Sequence, residues 1–260
     1  TLAASLSAVT AGDSAGLDER LEQVRTNFPG FLTLLVTDGE GHIVGLAGAT
    51  TEGPPPGELR GRSVADREYF QAVTRERRPY ISDVFQGRGF GADPIVALSA
   101  PWFDRGGALK GVVEGSLDLK RLRELVFASG VAGPASLVLL DRHDRVVFAS
   151  DGAAFPAMAS FAGEPIMQAA AAAADQRVFR YREPMRERSM AERHWVAAGR
   201  VEVPGMAGPW RVLVRRSEAE IHAPVERYYL GVLAGLLGAV GAATFFARWA
   251  GEQMARPLEL

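Results

Sequence analysis

The sequence predicts an α+β protein of two tandem lobes, each an antiparallel sheet flanked by helices. A long N-terminal helix precedes them and a C-terminal transmembrane helix follows. Three observations carry this. A strand–turn–strand phrase occurs twice, as LTLLVTDGEGHIV over residues 32–44 and as ASLVLLDRHDRVV over residues 135–147. Each copy opens a stretch in which helix and strand patterns follow in the same order. Residues 228–247, YYLGVLAGLLGAVGAATFFA, carry no charge. At 1.5 Å per residue this run spans about 30 Å, the hydrocarbon thickness of a bilayer.

The elements follow in order. Residues 1–27 form the N-terminal helix, and residues 1–11 read either as the outer end of a first transmembrane helix or as an ordinary helix start. The first lobe covers residues 28–132 and the second residues 133–217. In the repeated phrase Asp38 aligns with Asp141, Ile43 with Val146 and Val44 with Val147. An apolar strand, an aspartate, a polar turn and a second strand make a hairpin, and two copies point to lobes of one architecture. In lobe one, PPPGELRG at residues 54–61 cannot continue a strand or a helix. A helix is expected over residues 66–77, with Ser63 or Asp66 as its N-cap. Strands follow over residues 80–85, 94–103 and 111–117; the middle one is apolar on both faces and therefore central. Residues 104–107, DRGG, turn between the last two. Asp118 then caps a helix to residue 128, whose buried stripe is Leu119, Leu122 and Leu125 with Val126. Lobe two repeats the plan with an alanine-rich helix over residues 165–175 and strands near residues 178–182, 194–201 and 210–214.

Residues 218–249 are expected to form a juxtamembrane and transmembrane helix, with Pro224 placed to kink the junction. Arg227 and Arg248 bracket the apolar run, and Tyr228, Tyr229 and Trp249 lie at its interfacial ends. Gly231, Gly235, Gly238 and Ala242 share one face, a small-residue stripe that favours a homodimer. The bilayer is thus one expected partner and a second copy of the chain another.

Composition narrows the chemistry. A formal net charge of −2 gives no strong field for nucleic acid, and none is expected to bind through this region. The absence of cysteine excludes disulfides, thiolate metal sites and a cysteine nucleophile. Of the four histidines, His42 and His143 fall in the hairpin turns, His194 in a strand and His222 in the juxtamembrane helix; none has a partner at metal-ligand spacing. No nucleophile elbow, Walker loop or dinucleotide fingerprint occurs. GRGFG at residues 87–91 lies between strands and opens no helix, so it reads as a loop at a pocket edge. No catalytic residue, metal or cofactor is therefore expected in this chain.

A hairpin, a helix and three strands, given twice beside a membrane helix, resembles the double Cache (PAS-like) sensor domain of bacterial transmembrane receptors. SVADREYFQAV at residues 63–73 and RPYISDVFQGRGFGADPIVALSAPWFDRGGALKGVVEGSLDL at residues 78–119 carry the resemblance. They hold the DR-x-YF motif, the Ser-Ala-Pro strand end and the Gly-Val-Val final strand. The similarity covers residues 18–217, strongly in lobe one and loosely in lobe two. MARPLEL at residues 254–260 resembles the opening of a HAMP linker, which here takes residues 250–260.

The resemblance implies an extracytoplasmic ligand-sensing region. Residues up to about 227 would lie outside the cell membrane, with the C-terminus in the cytoplasm. The output would be a histidine kinase, or alternatively a diguanylate cyclase or chemoreceptor. It also places the ligand in lobe one, beside the DR-x-YF helix. Arg67 offers the planar fork that matches a carboxylate, although a surface ion pair with Asp66, Glu76 or Asp83 uses the same atoms. Tyr69 and Phe70 would supply an aromatic wall, with core packing the simpler role for Phe70. Tyr80, Asp83 and Ser99 on neighbouring strands would add polar contacts.

The family's amino-acid-binding branch ends its last distal strand in an aspartate that holds the ligand's ammonium, and has Arg-x-Trp-Tyr where this chain has Arg67-Glu68-Tyr69-Phe70. Aligning Gly111-Val112-Val113 puts Ser116 in the aspartate's place, and a hydroxyl balances a buried ammonium poorly. The expected ligand is a small organic anion. The rival reading is a membrane-anchored protein-interaction scaffold, which predicts an exposed apolar patch on lobe one and no enclosed pocket.

Overall fold

The computed structural model describes residues 16–48, 56–88, 91–104, 106–128, 136–150, 155–173, 177–182, 193–222 and 228–237. The distal lobe begins with helix α1 (Leu17–Asn27), followed by strands β1 (Phe31–Thr37) and β2 (Ile43–Ala47), a short helix α2 (Pro56–Leu59) and helix α3 (Glu68–Glu76). Strands β3 (Tyr80–Ile81), β4 (Phe85–Gln86), β5 (Pro94–Phe103) and β6 (Leu109–Asp118) complete it, and helix α4 (Leu119–Ala128) leads out. The proximal lobe holds β7 (Ser136–Leu140), β8 (Val146–Ala149), α5 (Pro165–Ala172), β9 (Val178–Arg182), β10 (Arg193–Val201) and β11 (Trp210–Ser217).

The two sheets have one topology. The distal order is β2-β1-β6-β5-β3, with β4 pairing β5, and the proximal order is β8-β7-β11-β10-β9. The strands within each sheet pair antiparallel. Tandem lobes of one architecture are therefore observed.

The equivalence of the repeated phrases reaches individual atoms. Asp38 Oδ1 accepts from the backbone N–H groups of Glu40 (3.0 Å) and His42 (2.8 Å); Asp141 Oδ1 accepts from His143 and Arg145, both at 2.9 Å. Such Asx turns satisfy backbone donors that a tight loop would strand. The third residue after each aspartate is left-handed: Gly41 at φ 90° and Asp144 at φ 58°. Glycine takes that conformation without cost and aspartate is among the side chains that tolerate it.

Each sheet buries its faces in separate clusters. On one side of the distal sheet, Leu17 and Leu21 of α1 pack with Phe31, Leu34, Val36 and Val113. On the other, Tyr69, Phe70 and Val73 of α3 pack with Leu35, Ile43, Ala97 and Val112. A third cluster joins the lobes: Val84, Val96 and Leu119 meet Val147 and Trp210. Backbone continues the junction. Ile81 donates to the Gly205 carbonyl at 2.6 Å and accepts from Ala207 at 3.0 Å, a parallel bridge between Ile81 and Met206. Gly205 is at φ 96°, and a Cβ there would lie 2.7 Å from the Pro79 carbonyl oxygen, so the approach requires glycine.

Several local expectations shift. The distal helix starts at Glu68 with Arg67 as N-cap, and no side chain caps it; Ser63 Oγ instead accepts from Ala65 N at 3.2 Å, and Asp66 pairs with Arg88. The strand expected over residues 80–85 divides into β3 and β4, because Ser82–Val84 leaves the sheet edge; Ser82 Oγ accepts there from Ala97 N at 2.9 Å. β11 runs on to Ser217 before residues 218–222 turn helical. Asp118 caps α4 as expected, accepting from Lys120 N at 2.8 Å and Arg121 N at 3.2 Å.

Residues 228–237 are helical, with Leu230, Leu233, Leu236 and Leu237 exposed. Among the described residues no helix is long and apolar enough to cross a membrane. Residues 238–247 of the expected span, residues 250–260 of the expected linker and residues 1–15 lie outside the described residues.

Candidate ligand-binding site

A cavity of about 250 Å³ lies between the distal sheet and the N-terminal end of α3. Ligand pockets commonly run about 300–1,000 Å³, so this one suits a small molecule. Its floor is the sheet: Thr33 and Leu35 from β1, Ile95 from β5, Glu114 and Ser116 from β6. Strand alternation puts these side chains on the same face as α3. Its wall is Asp66, Arg67 and Tyr69, and Gly87, Arg88, Gly91 and Asp93 contribute its rim.

Arg67 is brought here by its place just before α3, where the extended N-cap backbone turns its side chain over the sheet. The side chain is 15 % exposed. Its Nη2 donates to the Arg88 carbonyl at 3.3 Å, and its Nε lies 3.9 Å from Asp66. Both contacts are long, so most of its five donors remain available. Asp66 is the partner anticipated from the sequence, but Arg88 takes it at 3.0 Å. Tyr69 stands beside Arg67, stacked on Phe85 with ring centroids 6.5 Å apart. Burial, with the nearby Glu114 charge, pushes its phenol far above the usual range, so it remains a neutral hydroxyl.

Of the seven residues singled out from the sequence, Arg67, Tyr69 and Ser116 line this cavity. Phe70 points into the core under α3. Tyr80 is buried in that same core, and its hydroxyl donates to Glu68 Oε1 at 2.6 Å. Ser99 sits opposite Glu114 in the sheet register at 4 % exposure, with no hydrogen bond to its Oγ. Asp83 lines a second cavity of about 200 Å³, next to the first, which shares Arg67 and Tyr69 and is also lined by Arg145 of the proximal lobe. There Asp83 pairs with Arg142 at 2.6 Å. Burial raises its carboxyl above the usual range, outweighing the opposite pull of Arg142.

One residue of the site was missed. Glu114 is 2 % exposed and lies two positions before Ser116 on the same face. Of this strand only Ser116 was expected at the site, and the structure sets a buried carboxylate beside it. The signal was present: a lone acid in the apolar run GVVEGSL of a central strand. Such a residue is almost never fully buried without a reason. Burial pushes its carboxyl up to about 8, against a smaller downward pull from the Ser116 hydroxyl and the Arg67 charge.

Among the described residues no group of acids and histidines could hold a metal ion. Among the described residues of the distal lobe, the exposed large apolar side chains are Phe28 and Phe103, too few for the patch expected of a scaffold.

No family model and no curated protein matches the sequence. Solved structures do match in fold. The ligand-binding domain of the Campylobacter jejuni chemoreceptor Tlp3, in complex with L-norvaline, aligns with a TM-score of 0.60 at 14 % identity, covering 85 % of this chain and 80 % of that one. The extracellular domain of the candidate histidine kinase rpHK1S-Z16 aligns at 0.59 and 17 % identity, covering 83 % and 84 %. An extracellular ligand-binding receptor from Desulfohalobium retbaense DSM5692 aligns at 0.59 and 13 % identity, covering 82 % of this chain and 36 % of its own. The chain spans about a third of that structure's length. The fold is that of extracellular ligand-binding sensor domains of receptors.

Proposed function

We propose that this chain is the extracytoplasmic sensing and transmembrane region of a bacterial signal-transduction receptor, with a double Cache architecture. Its distal lobe binds a small carboxylate, held by Arg67 against the wall formed by Tyr69. The signal passes through the proximal lobe and the membrane helix to a HAMP linker, and on to a cytoplasmic histidine kinase. The observation that carries this reading is Arg67: a largely buried guanidinium with long, weak contacts, aimed into a cavity of small-molecule size. The exposed leucines of residues 228–237 support the membrane helix, and the glycines on that helix support a homodimer.

The relay is an equilibrium argument. A ligand shifts a receptor between two arrangements only by its difference in affinity for them. Helix α3 carries Arg67 at its start, and Glu68 beside it bonds Arg142 of the proximal lobe at 2.8 Å. A ligand that draws Arg67 inward therefore acts on the lobe junction within one residue. Calorimetry on the full chain with a panel of small carboxylates tests the reading. Arg67→Ala should abolish binding while leaving the unfolding transition in place; unchanged affinity in that variant would remove Arg67 from the site.

A further inference from the structure

One face of the proximal sheet carries a grid of arginines. Residues directly opposite in a sheet register share a face. Arg182 of β9 faces Arg193 of β10, and Trp195 of β10 lies between Arg180 of β9 and Arg216 of β11. The core of the lobe, with Phe179, Val196 and Leu213, is built from the alternate residues of these strands and so uses the other face. The Arg180 and Arg193 side chains are 69 % and 65 % exposed, and Arg182 and Arg216 are exposed as well. Among the described residues the acid paired with this grid is Glu218, 3.7 Å from Arg180 and 3.8 Å from Arg193. Like charges directly opposite in a sheet are destabilising, so the fold itself gains nothing from setting Arg182 against Arg193.

The place of the grid in the chain identifies its partner. Arg182, Arg193 and Arg216 lie in the last register rows of the sheet, beside Ser217, where β11 ends. Tyr228, the first residue of the uncharged run, comes eleven positions after Ser217. That path is about 16 Å long if wholly helical and about 38 Å if fully extended. The end of the sheet therefore stands within that distance of any bilayer that residues 228–247 enter.

We propose that this arginine face docks on the anionic phospholipid headgroups of the membrane that anchors the chain. It rests on the membrane reading of residues 228–247 and adds a second contact with the same bilayer. Strands about 4.8 Å apart set the outer arginines about 10 Å apart across the sheet, and a layer of headgroup phosphates meets all four without drawing them together. Guanidinium–phosphate contacts are charge-assisted and often bidentate. The attraction of basic side chains to an anionic surface falls off within a Debye length, about 8 Å at physiological salt, so it acts on a lobe held at the surface. Trp195, with the Arg180 guanidinium 4.7 Å from its ring centroid, is the kind of amphipathic aromatic that settles at headgroup depth. Docked in this way, the proximal lobe is braced against the bilayer from which its membrane helix departs.

The test uses the full chain reconstituted in vesicles of phosphatidylcholine alone and of an equal mixture with phosphatidylglycerol. A quencher carried on the lipid headgroup reports on Trp195, whose signal is isolated by difference from Trp195→Phe. Quenching should appear in the anionic vesicles, be absent from the neutral ones and fade as salt is raised. Arg182→Gln combined with Arg193→Gln should remove most of it, and lysine at the same two positions should keep it. Equal quenching in both lipids, or none in either while the chain stays membrane-bound, would overturn the docking and leave the membrane helix standing. A chain that neither vesicle retains would overturn both. Hydrogen exchange of β9 and β10 in the neutral vesicles covers the other occupants. Protection that grows with protein density would assign the face to a second copy, and protection on adding free glycerol phosphate would assign it to a small anion; either would overturn the docking.

Discussion

Arg142 Nε lies 2.6 Å from Asp83 Oδ2, joining the turn of the proximal hairpin to the edge of the distal sheet. The same guanidinium donates to Glu68 Oε1 at 2.8 Å and to the Ala207 carbonyl at 3.1 Å. Glu68 in turn accepts from the Tyr80 hydroxyl at 2.6 Å. One side chain thus binds helix α3, the distal sheet edge and the proximal lobe.

Arg142→Ala should destabilise the protein by about 2 kcal/mol, because Asp83 is 4 % exposed and would be left as an uncompensated buried acid. The figure sits below that for a fully buried pair because Arg142 is itself partly exposed. Urea denaturation measures it. The loss should shrink at acid pH, once Asp83, whose carboxyl is raised by burial, takes up a proton.

Glu114 should make the empty protein's stability depend on pH in a particular direction. Burial pushes its carboxyl up to about 8, above the ordinary glutamate value of 4.5. Stability is therefore fully present below the lower value and is lost as pH rises through the upper one. Relative to the native chain, Glu114→Gln should gain on the order of a few kcal/mol between those limits. Denaturation midpoints of both proteins along a pH series read this out; parallel curves would show that Glu114 is ionised at neutral pH even when the cavity is empty.

The two hairpin aspartates should differ in cost. Asp141 has no exposed surface and binds Arg145 as well as its turn, whereas the Asp38 side chain is 42 % exposed. Asp141→Ala should cost about 2–3 kcal/mol and Asp38→Ala about 1 kcal/mol. Thermal unfolding of the two variants compares them, and equal losses would mean that burial does not set the worth of these turns.

If residues 228–247 form the proposed membrane helix and it dimerises through its glycines, Gly235→Ile should weaken its self-association. A Cβ at Gly231 or Gly235 meets nothing within 4 Å in the single chain, so the larger side chain is tolerated by the protomer and obstructs only a neighbouring helix. A membrane two-hybrid assay on the isolated span compares the two forms; equal association would place the dimer contact elsewhere.

Much of the fold was legible because it rests on local chemistry. Asp38 and Asp141 announce their turns within five residues, and apolar residues on both faces of 94–103 mark β5 as an inner strand. The cap of α3 was not legible, since Ser63 and Asp66 have nearer partners that only folding brings close. At the site, Arg67, Tyr69 and Ser116 could be placed from the motif around them. Tyr80 and Asp83 could not, because their partners Glu68 and Arg142 come from a helix and from the other lobe. Glu114 was not legible for a different reason: aligning Gly111-Val112-Val113 points to Ser116, and the buried acid lies two residues before it on the same face.

The Gly205 segment alongside Ile81 has a consequence for how the molecule comes apart. It lies against β3, the outer strand of the distal sheet, and takes the amide and carbonyl of Ile81 that would otherwise face solvent. An unpaired strand edge is a template for other chains, and here the proximal lobe covers it. Opening the proximal lobe uncovers the distal one, so a mutation in either should lower a single melting transition, and partial unfolding should bring aggregation with it.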